Sequence, residues 1–453
     1  MAKIFYNEEV ITLRHLFLLL LLILPTTVTA QNRVTAFVYA EVGFTSQFPD
    51  GVISTLEVTH ELRLQEALFF MTMDEVVIYD SQVTVPSHQP GERLTLVGAW
   101  NGVSVTGEIA PPWTKIKTWW HLTDEAGNSV ITQPVLHLYN VHGSRSWVKM
   151  ETQAVSLYAY DQPSSFLYLA AQIADEAMLS LNHSYGFTLP YRPAVVFYNS
   201  AAEGDADLSP FTHSAFGKYF GGRAYPGTGG VVVLAKINEI QQIIPHELAH
   251  LFQFQLGGQF FDAPHWWREG DAKLHEPAET LSADLSRARE LAQDGHLPDL
   301  TLWNELPPDK RHLEDMMKLG MSFLYFLQEQ FGEASHAGFY ANWRQNRDFL
   351  GTFVITYGFT LPELEAQWKG WLLGISPGQA QVTSSSLNVR SGPGMDFEII
   401  AQLDQHDLVT PVGRDAHGTW LIVKLGNGQV GWISQQYVIY AGLTLQLSPQ
   451  LPR

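Results

Sequence analysis

Ile243-Ile244-Pro245-His246-Glu247-Leu248-Ala249-His250-Leu251-Phe252 decides how the middle of this chain folds. Its centre has the form His-Glu-x-x-His. On a helix, residues four apart share one face, so His246 and His250 would turn both imidazoles toward one ion. Glu247 would lie beside them, placed to hold and deprotonate a metal-bound water. Zinc suits such a set, because it accepts nitrogen and carboxylate ligands and lowers the pKa of water toward about 7. Ile243, Ile244, Leu251 and Phe252 are apolar, as a helix buried on its other faces requires. Pro245 has no N–H to give an interior turn, so it predicts either the first turn or a kink just before the metal residues.

A catalytic zinc site also needs a third protein ligand and one open position. The candidate is Glu269, in Trp266-Trp267-Arg268-Glu269-Gly270-Asp271-Ala272, nineteen residues after His250. Gly257-Gly258 offers an end for the first helix. The remaining separation leaves room for a turn and a second helix crossing the first. Trp266 and Trp267 read as core packing around Glu269 rather than as a substrate platform.

The rest of the chain divides by pattern. Residues 31–146 carry short strand-like runs, among them Val34–Tyr39, Leu56–Leu64, Leu94–Val97 and Lys115–Leu122, with turns between them. They predict an antiparallel β-sandwich with no catalytic constellation. Residues 147–375 switch to mixed α and β: a helix over Phe166–Leu181, strands at Pro193–Tyr198 and Gly229–Leu234, and amphipathic helices over His312–Phe331 and Phe359–Leu373. Glu203-Gly204-Asp205-Ala206-Asp207 lacks the ligand order of a calcium loop and reads as a solvated turn. Residues 376–381 are a linker by composition, residues 382–440 are again strand-rich, and 441–453 form a tail.

The chain has 453 residues, 27 Lys+Arg against 46 Asp+Glu, a formal charge of -19, and no cysteine. The charge argues against nucleic acid, since phosphate binding needs clustered cations. The missing cysteine excludes disulfides, thiolate ligands and a lipoprotein anchor, so any metal rests on His and carboxylate. Residues 1–30 read as a signal peptide: the apolar run Leu16–Leu24 is too short to span a bilayer, and Val28-Thr29-Ala30 suits cleavage before Gln31. An uncleaved N-terminal membrane anchor is the alternative. The reading places the protein outside the cell, secreted or associated with the cell wall.

The His-Glu-x-x-His with a distant Glu-Gly resembles the gluzincin metallopeptidases. The layout Val231–Leu234, His246–His250, Trp267–Ala272, then Met316–Gly332 is similar to peptidase MA-like domains of secreted bacterial proteins. That resemblance covers residues 147–375. It implies an α+β, thermolysin-like zincin fold, with zinc held by His246, His250 and Glu269 and with Glu247 as general base. It implies a peptide or protein substrate aligned along an edge strand, here Gly230, Val231, Val232 and Val233. Relatives often carry Asp four residues after the ligand Glu; here that position is Lys273. Tyr325, Tyr340 and His275 are the candidates for stabilising the oxyanion. A glutamate-bearing motif for a free amine is not found, which favours an endopeptidase over an aminopeptidase. The rival is a catalytically inactive zincin-like domain in an envelope-associated binding protein.

Further on, Leu387-Asn388-Val389-Arg390-Ser391-Gly392-Pro393-Gly394, Trp420–Lys424 and Gly428–Ser434 resemble bacterial SH3 (SH3b) domains. That resemblance implies a small β-barrel, with Trp420 and Trp432 filling it, and binding to peptidoglycan or other cell-envelope material without catalysis.

Overall fold

This computed structural model describes residues 3–6, 36–75, 77–104, 107, 109–141, 143, 145–208, 221–258, 263–303, 307, 309–376 and 378–440. Most of the expected signal peptide therefore lies outside the described residues. The chain is multidomain, with antiparallel sheets first, a helical middle region and a small C-terminal sheet domain. It forms two compact units, the first reaching Phe261 and the second taking the remainder together with Ser184–Gly186.

In the first unit, β2 (Val38–Ser46), β3 (Val52–Thr59) and β6 (Arg93–Trp100) make one antiparallel sheet in the order β2-β3-β6. A second runs β1 (Lys3–Tyr6), β5 (Val77–Val83), β4 (Leu64–Thr72), β7 (Lys115–Asp124), β8 (Ser129–Ile131), with β9 (Val135–Leu138) also on β7. Every second residue of β3 and β7 is buried, the period of a strand with one face on a core. That core joins Leu56 and Val58 of one sheet to Phe69, Ile116 and Trp120 of the other. The run Leu56–Leu64 is not one strand. It breaks after Thr59, where His60 turns in to bond the buried Asp124 (2.9 Å), and β4 begins at Leu64.

A mixed sheet follows in the order β10 (Trp147–Glu151), β11 (Ser156–Tyr160), β12 (Ala194–Tyr198), β14 (Gly230–Leu234), β13 (Gly222–Tyr225). Its centre is parallel, with α1 (Ser164–Tyr185) crossing from β11 to β12, and its two outer strands are antiparallel. β12 is buried at all five positions, as an interior parallel strand should be. The expected solvated turn at Glu203–Asp207 is helical instead, within α2 (Ala201–Leu208). Ser200 starts it by accepting the Glu203 N–H, and Asp207 is tied to Arg145 and to the Tyr198 hydroxyl.

α3 (Ile240–Gly257) carries the His-Glu-x-x-His run. Pro245 is neither at its first turn nor its end; it sits at the sixth residue, inside a continuous helix. An interior proline costs about 3 kcal/mol. Ile240, Ile244, Leu248, Leu251 and Phe252 are buried, each contributing about 1.5–3 kcal/mol, so burial outweighs the lost hydrogen bond.

In the second unit, α4 (His265–Leu274), α5 (Ala278–Gln293), α6 (Lys310–Phe331), α7 (Ala334–Asn346), α8 (Phe349–Tyr357) and α9 (Leu361–Leu372) pack round an aromatic core. Trp267 lies 4.4 Å from Phe339 and 5.5 Å from Phe353, ring centre to ring centre. α9 opens on a capping box between Thr360 and Glu363. α4 meets α6 backbone to backbone. A methyl added at Gly270 would stand 2.4 Å from the Gly320 carbonyl carbon, and one at Gly320 would stand 2.0 Å from the Trp266 oxygen.

The C-terminal domain is a seven-stranded antiparallel array, β17 (Ile399–Asp404), β16 (Ser386–Arg390), β20 (Val430–Ser434), β19 (Trp420–Lys424), β18 (Leu408–Arg414), β15 (Ala380–Val382), β21 (Val438–Tyr440). Ala380 and Gln381, read from composition as linker, are strand. Trp420 and Trp432 do not fill the barrel. Both are partly exposed, and the core is aliphatic, built on Leu387, Val389, Leu421, Val423 and Ile433.

Gly320→Ala should destabilise at or beyond the upper end of the about 1–3 kcal/mol that over-packing costs, because backbone rather than a side chain must move. Gly338→Ala, mid-helix in α7 with only Thr356 Cγ2 at 4.0 Å, should be neutral or stabilise by up to about 1 kcal/mol. Urea unfolding of both variants checks the contrast.

Candidate functional site

Helix geometry brings His246 and His250 together. They lie one turn apart on α3, with ring centres 5.1 Å apart and planes at 81°. An imidazole bound through one nitrogen at about 2.1 Å has its centre about 3.2 Å from the metal. Two such rings at a tetrahedral angle would be about 5 Å apart, so the pair fits one ion. His250 Nδ1 lies 3.0 Å from Gln253 Oε1. The amide oxygen accepts Nδ1–H, which leaves the Nε2 lone pair to bind metal and fixes the ring's direction. Gln253 was missed in sequence, although three residues after His250 is a helix-neighbour spacing.

His246 and Glu247 are both buried and His250 is half-buried. Glu247 lies under the sheet margin. A methyl at Gly222 would be 2.8 Å from Glu247 Cγ and 3.0 Å from Oε1, and one at Gly221 would meet Ile243 Cδ1 at 2.2 Å. Two glycines thus let the backbone settle on the helix at the carboxylate. This corrects the expected edge strand. Gly230, Val231, Val232 and Val233 lie on β14, which pairs with β12 on one side and β13 on the other. The margin of the sheet is β13, Gly222–Tyr225. The apolar run Val231–Val233 marks an interior strand, buried on both faces.

Glu269 is half-buried on α4, between Arg268 and Gly270. Trp266 and Trp267 are fully buried, as core packing rather than a platform. Trp266 Nε1 donates to the Leu300 carbonyl (3.1 Å), and Trp267 Nε1 donates to the Tyr340 hydroxyl (3.3 Å).

Asp271, fully buried, anchors a second polar cluster. His336 Nε2 donates to its Oδ1 at 2.6 Å, and Tyr185 (2.7 Å) and Tyr340 donate to its Oδ2. His336 Nδ1 lies 3.3 Å from the Ser184 carbonyl, and His275 Nε2 lies 3.8 Å from Asp271 Oδ1. Asp271, His275 and His336 have metal-ligating atoms. Two ligands on tetrahedral zinc would, however, be about 3.4 Å apart. At 2.6 Å the Asp271–His336 contact is a charge-assisted hydrogen bond with the proton between the two atoms. Burial opposes charge on both partners, and their attraction outweighs it. Asp271 is held well below the ordinary carboxylate range, and His336 is raised above the ordinary imidazole value.

This network also engages one of the sequence candidates. The Tyr340 hydroxyl is committed to Asp271, and burial with the adjacent carboxylate pushes its pKa far up. Tyr325 lies against Trp371, 6.2 Å between ring centres. Lys273, four residues after Glu269, is buried and paired with Glu276 (2.9 Å) and Asp284 (2.8 Å).

Residues 385–439 are a bacterial SH3 domain, matching the family model of that description. In it, Arg390 Nη1 donates to the carbonyls of Met395 and Phe397, both at 2.8 Å, bracing the loop after Gly392-Pro393-Gly394. A curated relative, the putative N-acetylmuramoyl-L-alanine amidase YrvJ of Bacillus subtilis (strain 168), is 34% identical over 56 residues, 12% of this chain. The chain spans 10% of that relative's length. The crystal structure of an M1 zinc metallopeptidase from Deinococcus radiodurans aligns over 72% of this chain and 90% of its own, at 14% identity and a TM-score of 0.32, below that of a shared fold. Among the described residues, no helix is long and apolar enough to cross a membrane.

The raised His336 pKa gives a signed expectation. Its contribution to stability is complete below the unfolded imidazole value, about 6.5, and is lost as pH rises through the higher folded value. Melting temperature should therefore fall as pH is raised above about 6.5. His336→Asn should lower stability by about 3–5 kcal/mol at pH 6 and remove that slope, read by thermal unfolding from pH 5 to 9.

Proposed function

We propose that this chain is a secreted zinc-dependent peptidase held at the cell envelope by its bacterial SH3 domain. The observation that carries it is the imidazole pair on α3 with Glu247 beside it and Gln253 orienting His250. The zinc ligands proposed are His246, His250 and Glu269, a group with the ligand atoms a metal ion takes. Two neutral imidazoles and one carboxylate are the donor set of a catalytic zinc with a position left open. When bound there, zinc supplies Lewis acidity and lowers the pKa of water.

The chain's own residues do the rest. Glu247 takes a proton from the attacking water as its oxygen bonds to the carbonyl carbon. As the C–N bond breaks, Glu247 passes that proton to the leaving amine. Burial of Glu247 beneath Gly222 fixes the carboxylate and limits competing water. An extended peptide substrate would align by backbone pairing along β13, in place of Gly230–Val233. Such pairing reads main chain and favours endopeptidase action.

Export rests on the apolar run Leu16–Leu24 and the small residues before Gln31. Envelope attachment rests on the bacterial SH3 domain and on a relative named as an N-acetylmuramoyl-L-alanine amidase. A zinc-binding protein without hydrolysis is the second reading. It is favoured by the engagement of the Tyr340 hydroxyl with Asp271, which removes one candidate for holding the oxyanion.

Metal analysis of the purified protein should find one zinc per chain, reduced at least tenfold in Glu269→Ala. Digestion of an unbiased peptide mixture should be abolished by Glu247→Gln at unchanged zinc content. Equal cleavage by both proteins would refute the role of Glu247; zinc without cleavage in either selects the second reading.

A further inference from the structure

The SH3 barrel is docked on the helical region of its own unit. Ala366 of α9 packs on the barrel core, Arg414 Nη1 reaches Glu363 Oε1 at 3.2 Å, and β15 leads into the barrel directly. Beside this contact the two parts leave a crevice of about 880 Å³. That is the size of a small-ligand site, and a junction between folded parts is where such sites form. One wall is α9, with Glu365 and Lys369. The other is the barrel, with Thr383, Trp420, Gln436 and Tyr437.

The chemistry of these walls selects a ligand class. Trp420 is half-buried and Tyr437 is 42% exposed, so each offers ring surface without losing its seat. Thr383 and Gln436 are exposed hydroxyl and amide groups at the rim. On the helical side Glu365 and Lys369 offset one another, and Asp299 adds one negative charge, its Oδ1 accepting the Thr301 N–H at 2.9 Å. Lys369 Nζ lies 2.5 Å from Glu365 Oε1, and Glu365 Oε2 accepts the Leu300 N–H at 3.0 Å. Lys369 is the cation among the described lining residues, and it is paired. An acidic peptide would have to break that pair to find a counter-charge. A neutral sugar chain asks for what is present: aromatic faces for its C–H surfaces, and amides and hydroxyls for its own.

We propose that the crevice between α9 and the SH3 barrel binds an uncharged chain of N-acetylated hexosamines. This rests on the reading that the barrel engages envelope material, and it places the sugar part on a surface the barrel builds with α9. A module docked this way would hold the glycan at a fixed distance from the helical region, with Trp420 as a natural reporter.

The test uses the full chain with the hexamer of N-acetylglucosamine, a tetrapeptide of cell-wall stem composition, and purified cell-wall sacculi. The hexamer should change tryptophan fluorescence saturably. Tyr437→Ala and the rim-blocking Thr383→Arg, both at exposed positions, should each weaken it at least tenfold while leaving the melting temperature unchanged. Peptide binding that these variants abolish, with no hexamer binding, would overturn the choice of sugar. Sacculi retained equally by wild type and both variants would overturn the crevice and leave envelope attachment standing. Sacculi retained by none of the proteins would overturn both.

Discussion

The second unit depends on one contact, the backbone of Gly270 lying on the backbone of Gly320. No side chain separates the two helices there, so α4 sits as deep on α6 as two helices can. Three consequences follow within two turns of α4. Trp266 and Trp267 are driven to full burial, where their indole N–H groups must find oxygen acceptors and do. Asp271 is carried into the interior and is viable only because His336, Tyr185 and Tyr340 all donate to it. Glu269 is presented at a fixed height on a helix that cannot slide. The place of that carboxylate is then set by backbone packing rather than by a flexible loop.

The first unit solves the matching problem by a similar device. Gly221 and Gly222 bring the backbone at the start of β13 directly onto the Ile243 and Glu247 side chains of α3. The same close approach buries the carboxylate beneath β13. Gln253, one turn further on, sets the tautomer of His250. Strand, acid and imidazole are positioned by one eighteen-residue helix.

Much of this was legible in sequence where the determinant is local. The alternation of Lys115–Leu122, the helix expected over Phe359–Leu373 and the His-Glu-x-x-His face depend on residues within one or two turns of each other. The bacterial SH3 domain was legible for a different reason: its order of Gly, Pro and Trp is specific enough to be matched as a pattern. The failures are nonlocal. Nothing in Gly230–Val233 says which strand pairs beyond it, and Gly222-Arg223-Ala224-Tyr225 has no apolar alternation to announce a strand. Pro245 is tolerated inside the helix because its cost is local, whereas the burial that offsets it is spread over the whole helix. The barrel tryptophans misled because size suggested core, while eleven buried aliphatic residues already fill so small a volume.

The departure at Lys273 can be argued from helix geometry. At 3.6 residues per turn, a residue four after Glu269 returns to nearly the same face, about 40° round, and one two after it lies about 200° away. A carboxylate at 273 could therefore face the same side as Glu269. The chain instead places Lys273 in a buried pair with Glu276 and Asp284, which joins the end of α4 to α5. Its buried carboxylate stands at 271, on the opposite face, turned into the core. An acid there cannot serve the ligand face; it serves the helix that bears it. The group that orients His250 stands on α3 itself, the Gln253 amide one turn along the same helix. The buried carboxylate of α4 is spent on the fold, and the imidazole of α3 is held by a neutral amide.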